Sequence, residues 1–132
     1  EQRLGEGRMS NIIIQLTEPQ VWAIAIACAF MVMDILTGFI GAVINGNVSS
    51  AKMRVGLGHK ILLCCLIAVA VMIELAGTHI AGLGFSGVSV TVVCAYIIIM
   101  EVASILENVC AAYPELRDTP LMRIFDHDVD GE

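Results

Sequence analysis

The chain has 132 residues, 58% of them hydrophobic and 15% charged, with a formal net charge of -6. So apolar a composition cannot cover a soluble domain of this length with polar surface, and one compact membrane unit without a second domain is expected. With an acidic balance and no basic face, nucleic acid is excluded as a partner.

Residues 1–19 form an N-terminal segment; Met9 reads as a natural start, so residues 1–8 are expected to be an appended stretch. Thr17-Glu18-Pro19-Gln20 predicts a helix start, with Thr17 as N-cap, Gln20 three residues on and proline in the first turn. Three apolar stretches follow, each around one acid: Val21–Ile44 around Asp34, Ile61–Leu83 around Glu74, and Val88–Leu106 around Glu101. A spanning helix needs roughly 20 mostly apolar residues. An acid near its centre costs about 2.5–3.5 kcal/mol on insertion scales, while each Leu, Ile, Phe or Val returns about 0.3–0.6. The two roughly cancel, and all three stretches are predicted to span. A cleavable signal peptide is not expected, because the first span is too long and more spans follow it.

Asn45-Gly46-Asn47 predicts a helix stop, since Gly and Asn accept the left-handed conformation. Ser49-Ser50 then caps a short helix through Leu57 that interleaves Lys52 and Arg54 with Met53, Val55 and Leu57. This segment is expected to lie in the interface, with Lys52, Arg54 and Lys60 at anionic headgroups; a solvated loop is the alternative. A tight, uncharged turn is expected over Gly82–Gly87, and Pro114 closes the third helix. The expected fold is an all-α membrane protein: three transmembrane helices over residues 20–113, a short interfacial helix between the first and second, and an acidic tail over 114–132.

Lys and Arg in short loops set orientation. Loop one has Lys52, Arg54 and Lys60, loop two has none, and the C-terminal flank has Arg117 and Arg123. Loop one and the C-terminus are therefore expected in the cytoplasm and the N-terminus outside. The five cysteines read as small apolar packing residues in helices, since four lie inside apolar spans and the count is odd. No metal site is expected, because Cys64-Cys65 lacks ligand spacing. The tail holds Asp-x-Asp-x-Asp-Gly, the first half of a calcium loop, without the bidentate Glu that would complete it. No cofactor follows. Nor is an enzyme expected, since no nucleophile–base–orienter set is apparent.

Each acid sits on a polar stripe at helical spacing: Asp34, Gly38, Gly41 and Asn45; Glu74, Gly77 and Thr78; Glu101, Ser104 and Asn108. Small residues let membrane helices approach, and polar groups bond across the gap. Asp34 and Glu101 come to similar depths, where they could share a proton or pair through water. The stripes either line a pore or water-filled crevice, or serve as helix–helix glue with neutral acids.

Two blocks resemble the phage lysis and toxin-secretion holins. The first runs Asp34-Ile35-Leu36-Thr37-Gly38, Asn45-Gly46-Asn47-Val48-Ser49-Ser50, Lys52-Met53-Arg54-Val55-Gly56 and Lys60-Ile61; the second is Glu101-Val102-Ala103-Ser104-Ile105-Leu106-Glu107-Asn108. The resemblance covers roughly residues 20–117, with Pro114 and Leu116 near a usual Pro-x-x-Leu element. Family tails are commonly Lys-rich, whereas this one ends in acids. The resemblance implies a protein of the bacterial cytoplasmic membrane that oligomerises and opens lesions for an endolysin or toxin, which is a functional partner without a stable complex. A homo-oligomer is expected, with contacts that include the Asp34, Gly38, Gly41 and Glu101 faces. The alternative is a small proton- or ion-coupled channel or transporter with Asp34, Glu74 and Glu101 as a relay.

Overall fold

The computed structural model describes residues 16–80, 82–83 and 89–123. Three long helices make up most of it: α1 (Glu18–Ile44), α2 (Ser50–His79) and α3 (Val90–Ala112). A 3-10 turn (Pro114–Leu116) and a short α4 (Pro120–Arg123) follow. All three long helices are long and apolar enough to cross a membrane.

The chain signals its own helix ends. Ahead of α1, the Thr17 N–H donates to Gln20 Oε1 at 2.8 Å. At its far end Gly46 takes φ +62, which glycine adopts without a Cβ clash. The Gly46 N–H donates to Val43 O at 3.1 Å and the Asn47 N–H to Ala42 O at 2.9 Å. This pair closes the helix by satisfying two carbonyls left without partners. Ser49 caps α2, its Oγ accepting from the Lys52 N–H at 3.4 Å.

Two expectations change here. The segment through Leu57 is helical, but it forms the opening turns of the 30-residue α2 and not a separate interfacial helix. No residue between Ser50 and Lys60 breaks the helix: Gly56 and Gly58 weaken it only modestly, and Ser49 has already capped its start. The second span also ends early, at His79, whereas the third ends at Ala112, where Pro114 was expected to close it. Most of the expected 82–87 turn, and the acidic residues 124–132, lie outside the described residues.

α1 and α3 run parallel and pack closely; α2 runs antiparallel to both and touches them more sparsely. Apart from Cys110, the buried residues of the three long helices follow steps of three and four. On α2 they are Lys60, Leu63, Ile67 and Ala70, on α3 Val90, Cys94, Ile97 and Glu101. On α1, Gln20, Ala27, Met31 and Gly41 fall on the same repeat. That is the spacing of a left-handed coiled coil, which keeps one narrow seam facing its neighbours. Ala27, Met31, Leu63, Ile67, Ala70, Val90, Cys94 and Ile97 fill the centre.

Many of the remaining large apolar side chains face outward. Trp22, Ile40, Leu62, Met72, Val92 and Ile99 are all at least half exposed, which would be untenable in water. Against acyl chains the same residues form the lipid surface.

Glycine sets the α1–α3 distance. A Cβ on Gly38 would stand 3.3 Å from Asn108 Nδ2, and one on Gly41 3.5 Å from the Asn108 carbonyl. Gly38→Leu should therefore separate the two helices at a cost of about 1–3 kcal/mol, the usual range for overpacking. Thermal unfolding in detergent should show a lowered Tm for Gly38→Leu, whereas Ile40→Leu, on the lipid face, should leave it unchanged.

Candidate functional site

The polar residues of the seams gather into two clusters. In the first, all three helices contribute a charge. Lys60 of α2 reaches between α1 and α3, its Nζ 2.7 Å from Asp34 Oδ2 and ion-paired also with Glu101 Oε2. The side chains are almost closed to solvent, at 9% exposure for Lys60, 13% for Asp34 and 2% for Glu101. Asp34 Oδ1 accepts from Asn108 Nδ2 at 2.9 Å. Thr37 Oγ1 donates to the Asp34 carbonyl at 3.1 Å and accepts from Asn108 Nδ2 at 3.3 Å.

Asp34 and Lys60 each lie ten residues inside their helix ends, which places this cluster about 15 Å below the loop-one end of the bundle. An isolated ion at such depth is costly, and a charge-assisted bond to an opposite charge is what makes it tolerable. With two carboxylates to one ammonium, the fully ionised cluster carries one net negative charge.

Around Glu74, near the other end, is the second cluster. Its Oε1 accepts from Gln20 Nε2 at 2.5 Å and its Oε2 from the Val90 N–H at 3.0 Å. Ser89, the N-cap of α3, makes no side-chain cap bond. A carboxylate from α2 takes that place, where it also meets the positive end of the α3 dipole. Among the described residues no buried side-chain nitrogen or oxygen lacks a partner.

Lys60 is the main correction. It was expected at a lipid headgroup, on the reading that basic residues after loop one stay at the surface. The seam spacing turns it inward: Lys60 is two heptads from Glu74, with Leu63, Ile67 and Ala70 at the positions between. That spacing was visible in the sequence, as was the opposite sign of its two ends. Asp34 and Glu101 do lie at one depth, but they meet through Lys60 and not each other. Lys52 and Arg54 are exposed on the opening turns of α2.

The small-residue stripe is also differently used. Gly38 and Gly41 were expected to face a neighbouring copy; α3 of the same chain covers them. Asn45 Nδ2 completes the contact by donating to the Ala111 carbonyl at 3.3 Å. On α2 the stripe stops at Glu74: Gly77 and Thr78 are exposed, and Thr78 Oγ1 donates back to the Leu75 carbonyl at 2.9 Å. Gln20 was read only as a helix-start residue, although its amide nitrogen holds Glu74. A direct relay through the three acids is not formed, since the clusters are about 21 Å apart along α2 with apolar side chains between.

A crevice of about 640 Å³ leads from the loop-one side to the first cluster. Ile35, Phe39 and Ala42 of α1 and Met53 and Leu57 of α2 form its walls; Ser49, Ser50, Lys52 and Arg54 line it nearer the loop. Asp34, Lys60, Ser104 and Asn108 line its inner end. Ser104 thus belongs to the crevice and not to a bond within the cluster. A space of this size with polar partners at its end is suited to hold water.

Breaking a buried pair by removing one partner typically costs about 3–5 kcal/mol, because the remaining charge is stranded. Lys60→Met should therefore lower stability in detergent by about that much, read as the midpoint of thermal unfolding. The triple variant Lys60→Met, Asp34→Asn, Glu101→Gln should recover most of the loss. A Lys60→Met protein as stable as the parent would contradict this account of the cluster.

Compared with known proteins, the chain matches the model of the bacteriophage holin family over residues 12–113, well over half its length. No curated protein and no solved structure matches it.

Proposed function

Since the chain belongs to the bacteriophage holin family, a family of non-enzymatic membrane proteins, we propose that it accumulates in the host cytoplasmic membrane, assembles, and opens lesions that release an endolysin or toxin. The observation that carries this reading is the distribution of polarity. The outer surface is largely apolar on every helix, while Asp34, Lys60, Glu74 and Glu101 are drawn into the seams and Lys52, Arg54 and Glu107 stay exposed toward the loop-one end. Such a unit enters a bilayer readily and holds no channel of its own, because the centre is filled by Met31, Ile67, Cys94 and Ile97. With helices about 10 Å across, a monomer leaves no lumen for a folded protein. Lesions therefore need many copies.

In this reading Asp34, Lys60, Glu101 and Asn108 hold the three helices in register until assembly. Gly38 and Gly41 bring α1 and α3 together, and Ser104 faces the crevice. Lys52 and Arg54 meet anionic headgroups, an attraction of about 1 kcal/mol per charge near such a leaflet.

Two experiments test this reading. Induced expression in bacteria should give abrupt loss of membrane potential, and lysis only when an endolysin is co-expressed. Potential that persists while the protein accumulates, or lysis without endolysin, would count against it.

Orientation has its own measurement. Lys52, Arg54 and Arg117 are all exposed at the loop-one end, which supports a cytoplasmic loop one and C-terminus. In a cysteine-free parent, Leu83→Cys should react with an impermeant thiol reagent added outside intact cells, and Lys52→Cys only after permeabilisation. The opposite pattern would invert the topology.

A further inference from the structure

We infer that α2 is an exchangeable helix, and that the partner its seam fits is a second copy of this chain: α2 of one copy docks on the α1–α3 pair of the next. This rests on the assembly reading above and names the contact that makes it.

The three helices are not held equally. Close backbone approach at Gly38 and Gly41, with bonds from Asn45 and Asn108, ties α1 to α3. α2 meets that pair along a single stripe from Lys60 through Leu63, Ile67 and Ala70 to Glu74. In a bilayer the apolar middle of the stripe gains little, because acyl chains are as apolar as leucine. Its selectivity therefore lies in the two ends. A cation meets the Asp34 and Glu101 carboxylates, and a carboxylate meets the Gln20 amide and the Val90 N–H. Lipid offers no such pair of opposite ends at this separation. A neighbour's α1–α3 pair offers the same one.

The tethers allow it. Asn45–Ser49 joins α1 to α2, and five residues reach about 16–18 Å when extended, more than one helix diameter of about 10 Å. The α2–α3 connection is longer, Ile80 to Ser89. The crevice sets Ser104 and Asn108 beside Asp34 and Lys60, so polar groups remain next to these charges when they part. Exchange conserves every polar pair. At low density the tether favours a chain's own α2 through high effective concentration; accumulation in the membrane plane tips the balance. Because the donor and acceptor seams differ, the contact is head-to-tail, and repetition builds rings or open chains of unfixed number.

The test uses a parent whose five native cysteines are replaced by alanine and which still lyses cells. Ala23→Cys and Val71→Cys, which pack on the core outside both polar clusters, are placed on two differently tagged copies, and a short reversible bifunctional thiol reagent is applied to membranes. The mixed dimer should rise several-fold as lysis approaches. With both substitutions on one chain, cross-linking fixes α2 at home and should abolish lysis until the reagent is cleaved. Should either variant fail to accumulate, Met31→Cys and Leu63→Cys probe the apolar part of the seam nearer the inner cluster in the same way. A stapled protein that still lyses cells, while Ile40→Cys on the lipid face reports oligomers, overturns the exchange and leaves assembly standing. Lysis with no oligomer reported by any of these cysteines overturns both.

Discussion

One ammonium group holds this bundle together. Lys60 stands between Asp34 and Glu101, and each of the three charges would be expensive alone at that depth. Together they fix the rotation and the height of three helices at one point. Rotation of α2 by one residue position would withdraw the ammonium from both carboxylates, so the cluster specifies register in a way that an apolar contact cannot. Asn108 and Thr37 extend that control by engaging the remaining Asp34 oxygen and its carbonyl. Glu74 does the same work near the other end, where the start of α3 would otherwise lack a cap.

Lipid changes what each kind of contact is worth. Leu63, Ile67 and Ala70 fill space in the seam, but removing them from acyl chains gains far less than removing them from water. Packing against α3 at Gly38 and Gly41 gains more, since backbones in contact make dispersion contacts that lipid matches poorly. The bundle thus has a firm half, α1 with α3, and a helix held chiefly at two polar points.

The crevice follows from the same arrangement. α2 begins at the loop with Ser50 and first meets the pair of helices at Lys60, ten residues on. Its opening turns, with Lys52 and Arg54 exposed, therefore stand off from α1 and leave room over the cluster. The polar end of that space lies within the depth of the bilayer while its mouth faces one side.

The membrane class, the three helices and most of their ends were legible in the sequence, because they depend on local signals. Apolar length decides spanning, Thr17 and Gln20 mark a start, and Gly46 marks a stop. The α1 stripe of Asp34, Gly38, Gly41 and Asn45 was legible too, as a contact face. What it contacts was not: a stripe on one helix looks the same whether its partner is the next helix or the next molecule, and here α3 took the place expected for a neighbouring copy. Lys60 was misplaced for a related reason. Its position after a basic loop suggested a headgroup, whereas its direction is fixed by the heptad it shares with Glu74 and by two acids distant in sequence. Sequence determined which residues are too polar for lipid; only the tertiary structure decided which of them would neutralise one another, because a charge inside a membrane is placed by its partners and those partners come from other helices.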